Sequence, residues 1–270
     1  MNSMDPMRES LREDCVLNFS ITTQPEQWAS GLDGLCAALE VEFPSQQPLI
    51  HGLVGRKVVR LKDRRSHLDA VARTPFRDLL IRNSLDRKAS ISIRGVLNDR
   101  ARLAFDFQVF TPASSWEERA RLLQVCGDAA GVYAGGFTPL FSANALYAYA
   151  NLARSGVANI SAAPVIAALE QTGEVLPSLR PVATGGARFD SAQPDQLHWV
   201  NYWSAATCKF LDFPDAERDG EWLRLAEQTP ADAWVVRLTD EPFDVRSSTH
   251  IGVLARAYRR FAGVGIRSAG

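Results

Sequence analysis

Three residues of this chain have the types and order that hold and use a divalent metal ion. Asp86-Arg87-Lys88 has the acidic-x-lysine form of a metal-dependent nuclease, in which a carboxylate holds Mg²⁺ and the lysine steadies charge on the attacked phosphate; Asp78 is available as partner acid. A tripeptide of such common residues also arises by chance, and a charge cluster at the start of a strand is ordinarily solvated. A hydrolase built on Asp78, Asp86 and Lys88 is therefore the alternative reading, against a protein that works by binding. Other catalytic signatures are missing. The chain has no Gly-x-Ser-x-Gly, the run GLVGRK at 52–57 has the wrong glycine spacing for a phosphate loop, and Gly263-Val264-Gly265 has no helix after it to open. His51, His67, His198 and His250 are isolated from second ligands at helical spacing, and His67-x-Asp69 alone reads as an ordinary histidine. No metal and no cofactor are expected.

Carboxylates dominate another stretch. Residues 212–244 hold ten acids and three bases, a net −7, while the remainder, with 21 acids and 27 bases, is +6. Asp215 with Asp219 and Glu217 with Glu221 fall four residues apart, so on a helix they would form neighbouring acidic ridges whose repulsion a basic partner would relieve. The bland counterpart is a solvated face neutralised by the protein's own arginines. Four of the six tryptophans, Trp199, Trp203, Trp222 and Trp234, lie in or beside this stretch. Indoles at helical spacing ordinarily fill a core, and Trp199, Trp203 and Trp234 are assigned there.

Composition bounds what can carry these residues. At 270 residues, 46% hydrophobic and 23% charged, the chain has ordinary globular proportions, and its net charge of −1 gives no basic footprint for nucleic acid. No apolar run approaches the ~18 residues of a membrane span, and the first fifteen residues have no signal-peptide core, so a cytoplasmic protein with no membrane contact is expected. Cys15, Cys36, Cys126 and Cys208 have neither metal nor redox spacing and read as free thiols.

The elements follow from periodicity. Val16–Thr22 alternates as a half-buried strand, Trp28–Leu39 repeats as a helix, and Arg56–Leu61 is a short strand. Ser66–Leu85 reads as a weak helix broken at Thr74-Pro75. Ile91, Ile93 and Gly95, then Leu103, Phe105, Phe107 and Val109, mark an antiparallel hairpin with one wet face. Ser114 or Ser115 caps what should be the longest helix, stopped by Gly135-Gly136, and SANALYAYANLA after Pro139 suggests a buried helix. Residues 172–196, rich in Pro and Gly, form a long irregular connection that would also serve as a lid over a small-molecule pocket. Trp199, Trp203, Ala206 and Phe210 read as one side of a helix, Phe213-Pro214-Asp215 as the start of another, Trp234–Leu238 as a strand, and Ser247 or Ser248 as the cap of a last helix over Ile251–Ala262. The expected class is α+β, a mixed, largely antiparallel sheet packed with helices. Residues 1–14 are expected to be disordered, and 15–265 to form a single domain or two lobes joined by 172–196.

The C-terminal part also resembles a known family. The runs WVNYWSAA, FPDAERD, WVVRLTDEPFD and HIGVLARAYRRF, in that order, are similar to the immunity protein 52 family and to an uncharacterised relative common in myxobacteria; Asp212 stands where that pattern has glycine. The resemblance covers about a quarter of the chain. It implies an antitoxin: such proteins are encoded beside polymorphic toxins, often restriction-endonuclease-like toxins delivered by type VI secretion, and neutralise the cognate toxin by binding it. The family offers no catalytic residues to carry over. With the charge pattern, the resemblance makes Asp212, Asp215, Glu217, Asp219, Glu221, Asp240, Glu241 and Asp244 the candidate toxin contacts. It says nothing of the oligomeric state.

Overall fold

A computed structural model describes residues 15–21, 25–54, 56–73, 78–85, 91–97, 105–111, 115–156, 159–177, 179–180 and 192–267. Residues 1–14, Asp86, Lys88 and, within the 172–196 connection, residues 178 and 181–191 lie outside them. The elements in chain order are β1 (Cys15–Ile21), α1 (Pro25–Glu42), β2 (His51–Val54), β3 (Lys57–Arg60), α2 (Arg64–Ala72), β4 (Asp78–Arg82), β5 (Ser92–Leu97), β6 (Phe105–Thr111), α3 (Trp116–Ala130), β7 (Ala134–Phe137), α4 (Leu140–Ser155), α5 (Ala163–Thr172), β8 (Leu179–Arg180), β9 (Val200–Trp203), α6 (Ala205–Leu211), α7 (Gly220–Leu223), β10 (Ala226–Gln228), β11 (Trp234–Arg237), α8 (Ser248–Arg260) and β12 (Ile266–Arg267).

Ten strands make one sheet in the order β10-β11-β9-β7-β1-β6-β5-β4-β2-β3, and every ladder among the described residues is antiparallel. The fold is α+β, as alternation and capping signals predict. Leu17, Phe19, Leu79, Ile81, Ile93 and Val109 are buried on one face, while Asn18, Arg94 and Gln108 form a wetter row on the other, Gln108 donating to Asn18 at 2.8 Å. On the buried face α1 crosses α3 so closely that a Cβ at Gly31 would sit 2.3 Å from the Ala130 carbonyl oxygen. Only glycine permits that approach. Tyr202 lies against Gly127 of α3 in the same way, and its neighbour Trp203, pointing to the opposite face, packs edge-on against Phe213 and Phe261. Both faces at this end of the sheet are therefore covered.

Several elements depart from the sequence expectation. The helix expected over Ser66–Leu85 ends at Ala72, and Asp78 to Arg82 is instead a strand between β2 and β5. Leu79 and Ile81 alternate with Leu80 as period 2 requires. Trp199 and Trp203 do not share a helix: Val200–Trp203 is a strand, and Ser204 then caps α6 by accepting from Thr207 N–H. A spacing of four satisfies both the helical and the strand period, so it could not choose between them. The helix expected from Phe213 is a loop after a cis Phe213-Pro214 bond, leaving only the single turn α7. The longest helix is α1, with 18 residues, not α3 with 15. Gly131 at φ 62 ends α3, and Gly135 and Gly136 belong to β7. On α4, Leu140, Phe141 and Tyr147 are exposed, so this helix is not buried all round. Ser115 and Ser247 cap α3 and α8 as read.

Candidate functional site

The acids of 212–244 sit on the loop before α7, on α7 itself, on the edge hairpin β10–β11 and on the connection from β11 to α8. Their backbone is organised by Asp219, which is fully buried. Its carboxylate accepts from Arg260 Nε at 2.7 Å, from Arg260 Nη2 at 3.0 Å and from Asp215 N–H at 2.8 Å, while the same guanidinium donates to the carbonyls of Leu211 and Asp212. A buried carboxylate without such a partner would be strongly disfavoured, so the loop closes around this pair. Phe213 is the hydrophobic counterpart, edge-on to Trp203 and Trp234 and near Phe261. Asp212 has φ 54, the left-handed region that glycine occupies most cheaply. That conformation accounts for the glycine of the resembling pattern at this position. The FPDAERD run thus marks a folded loop, with its last acid unavailable to any partner.

The remaining predicted contacts are on the surface, most of them already paired. Arg218 bridges Asp212 and Asp215, Arg224 meets Asp240 in a two-pronged pair at 3.0 and 3.1 Å, Arg256 meets Glu221 at 2.5 Å, and Arg246 meets Asp244 at 2.8 Å. The Arg218 hydrogen bond holds the Asp215 carboxyl below the usual carboxylate range, and Arg224 does the same for Asp240. Burial pushes Asp244 up, but the Arg246 hydrogen bonds outweigh it and the net shift is downward. Glu217 and Glu241 are exposed with no cation paired to them among the described residues, as are Glu227 and Asp232 in the β10–β11 hairpin. The acids therefore do not form the helical ridges expected from their four-residue spacing, since 212–219 is not helical. They form a mixed rim in which arginine and carboxylate alternate.

Beneath this rim a partly buried network fixes the hairpin. Asp128 of α3 accepts from Tyr202 at 2.8 Å and from Thr229 at 3.1 Å, and Thr229 Oγ1 in turn accepts from the backbone of Ala231 and Ala233. Burial, followed by the Asp128 hydrogen bond, raises the Tyr202 hydroxyl well above its usual range. Trp199 donates its indole N–H to Thr239 O at 3.1 Å and is fully buried with Trp203; Trp222 is also buried, while Trp234 is partly so. His198 packs on Gly136, where an added Cβ would lie 2.5 Å from its ring, and burial lowers its pKa to about 4. His250 accepts from Asp244 N–H at 3.0 Å and stacks on Phe243, with its pKa also lowered, chiefly by burial. Neither network was legible as a pattern: Asp128, Tyr202 and Thr229 are far apart in sequence.

For the alternative chemistry, Asp78 lies on β4, and Asp86 and Lys88 fall outside the described residues. Among the described residues no three His, Cys, Asp or Glu side chains are grouped to hold a metal ion. A small crevice between α1, α2 and β4 is walled by Trp28, Ala29, Leu32, Leu68, Val71, Ala72 and Leu79, with no charged group on its walls. Cys36, Cys126 and Cys208 are buried, and burial pushes the thiols of Cys36 and Cys208 up to about 12. No helix among the described residues is long and apolar enough to cross a membrane.

Comparisons with known proteins agree with this architecture. Residues 142–269, just under half of the chain, match the model of a family described as a domain of unknown function, DUF5953. No curated protein matches the sequence. Among solved structures, the "Pseudomonas aeruginosa T6SS protein PA0821" is similar, with a TM-score of 0.50 and 11% sequence identity, over 95% of this chain and 79% of that one. At that identity the likeness is one of fold, shared across nearly the whole of the chain.

Proposed function

We propose that this chain is an immunity protein of a type VI secretion system, a cytoplasmic antitoxin that neutralises a cognate secreted nuclease toxin by forming a tight protein–protein complex with it rather than by catalysis. The observation that carries the reading is the fold held in common, over 95% of the chain, with a T6SS protein; the four C-terminal runs that resemble the immunity protein 52 family support it. A rim of alternating carboxylates and arginines suits recognition of a protein surface, where complementary charge steers association and fixes register. Within that rim Glu217 and Glu241, with Glu227 and Asp232 of the hairpin, are acids available to meet a basic toxin surface, and the Arg218 and Arg224 pairs lie in the same rim. A restriction-endonuclease-like toxin, whose cleft is built to receive phosphates, is the partner such acids fit.

The test is co-expression with the toxin encoded by the neighbouring reading frame. Growth should be rescued and the two proteins should co-purify in fixed ratio; failure of both sinks the reading. Reversing Glu217 and Glu241 to lysine should slow association most at low salt, because exposed charges act mainly on the association rate.

A further inference from the structure

The opposite edge of the sheet carries bare charge of the other sign. β3 ends the strand order, with β2 on one side and no strand on the other among the described residues. Leu61 N–H donates to Ile50 O at 2.8 Å. Alternation along an antiparallel ladder then makes Val59 with Gly52, and Lys57 with Val54, the hydrogen-bonded pairs. The N–H and C=O groups of Val58 and Arg60 consequently point outward, away from β2. Around them Arg56, Lys57, Arg60 and Lys62 are exposed, and none has a carboxylate partner among the described residues. Two valines of the same hairpin, Val54 and Val59, are 52% and 37% exposed.

A lysine on an edge strand ordinarily keeps that edge from pairing with a copy of itself. Four bare cations exceed that need, and exposed valines work against it. Like charges that repel a second basic edge attract an acidic one.

We infer that the β3 edge is a second docking site, which takes an extended acidic segment of a partner protein as an added strand beside Lys57–Arg60. The outward groups of Val58 and Arg60 bond the segment's backbone, and alternating side chains place its acids on the Arg60 face and its apolar residues over Val59. Arg56 and Lys62 meet acids beyond either end of the strand. The exposed residues of this edge include no aromatic on which a base could stack, which favours a peptide over a nucleic acid. The inference stands apart from the antitoxin reading, since it concerns the other end of the sheet and needs no toxin.

The test uses the full chain and a fluorescein-labelled peptide, Glu-Val-Glu-Val-Glu-Val-Glu, followed by anisotropy at low salt. Saturable binding is expected, weakened about tenfold or more when prolines replace the valines, because charge is kept while backbone pairing is lost. Val58→Pro removes an outward N–H without touching the ladder to β2, so it should weaken binding about tenfold while leaving the far-UV spectrum native. If that variant loses its native spectrum, Lys57→Glu with Arg60→Glu gives the same decision through charge, and retained binding there overturns the inference. Absence of saturable binding, equal binding by the proline peptide or a natively folded Val58→Pro variant, or tighter binding of an oligodeoxythymidine of about 20 nucleotides, also overturns it.

Discussion

The acid-rich end of the sheet, at β10 and β11, and the basic end, at β3, carry opposite charge in sequence, yet among the described residues the first holds most of its carboxylates in ion pairs and the second pairs none of Arg56, Lys57, Arg60 and Lys62. Asp212, Asp215, Glu221, Asp240 and Asp244 each face an arginine, and Asp219 is sealed against Arg260. Arg246, Arg256 and Arg260 come from outside the 212–244 window, so a count along the chain overstates the field that a partner would meet. At β3 no carboxylate among the described residues comes back to Arg56, Lys57, Arg60 or Lys62. Formal charge along a segment and charge available at a surface are different quantities, and tertiary contact separates them.

The largest effect that could break this contrast is at the buried pair. Asp219→Ala leaves Arg260 without its carboxylate and should cost about 3–5 kcal/mol in urea unfolding; a loss under about 1 kcal/mol would mean that the loop does not depend on it. Acid should act next. His198 falls from its ordinary 6.5 to about 4 in the folded protein and His250 is also lowered, so both favour the neutral form when folded. Their contribution is whole above pH 6.5 and is lost as pH falls below it, for His198 down to about 4, because the unfolded chain takes up protons first. For His198 the loss is at most about 3 kcal/mol, and a His198→Gln variant should show a flatter stability profile across that window.

In the N-terminal half α1 packs closely on α3, with the Arg121–Glu42 ion pair at the surface between them, and Gly31→Ala should cost about 1–3 kcal/mol, since the new methyl meets a backbone carbonyl that cannot move alone. Thermal melting of this variant with and without high salt should show the same loss. The smallest effect is expected at the exposed pair of Arg224 and Asp240. Arg224→Ala should leave the melting temperature unchanged within error, while shifting the salt dependence of any complex formed at that rim. A clear destabilisation would mean that the rim pairs are structural, and the contrast with Asp219 would narrow.

The sequence by itself determined the class, the caps to within one residue of Ser115 and Ser247, the strands at β1, β3 and β11, the hairpin of β5 and β6, and the burial of Trp199 and Trp203, because each depends on local period or on a single side chain bonding its own backbone. It misplaced β9, where apolar residues four apart fit a strand and a helix alike, and β4, where the short continuous run Leu79-Leu80-Ile81 shows neither period; hydrogen bonding to neighbouring strands made the choice. It located the acids but not their state. Whether a carboxylate is sealed, paired or free depends on which arginine arrives beside it from another element, and α8 delivers Arg256 and Arg260 only once the chain has folded. The bare edge at β3 was likewise hidden, because a strand becomes an edge only when the order of the whole sheet is set.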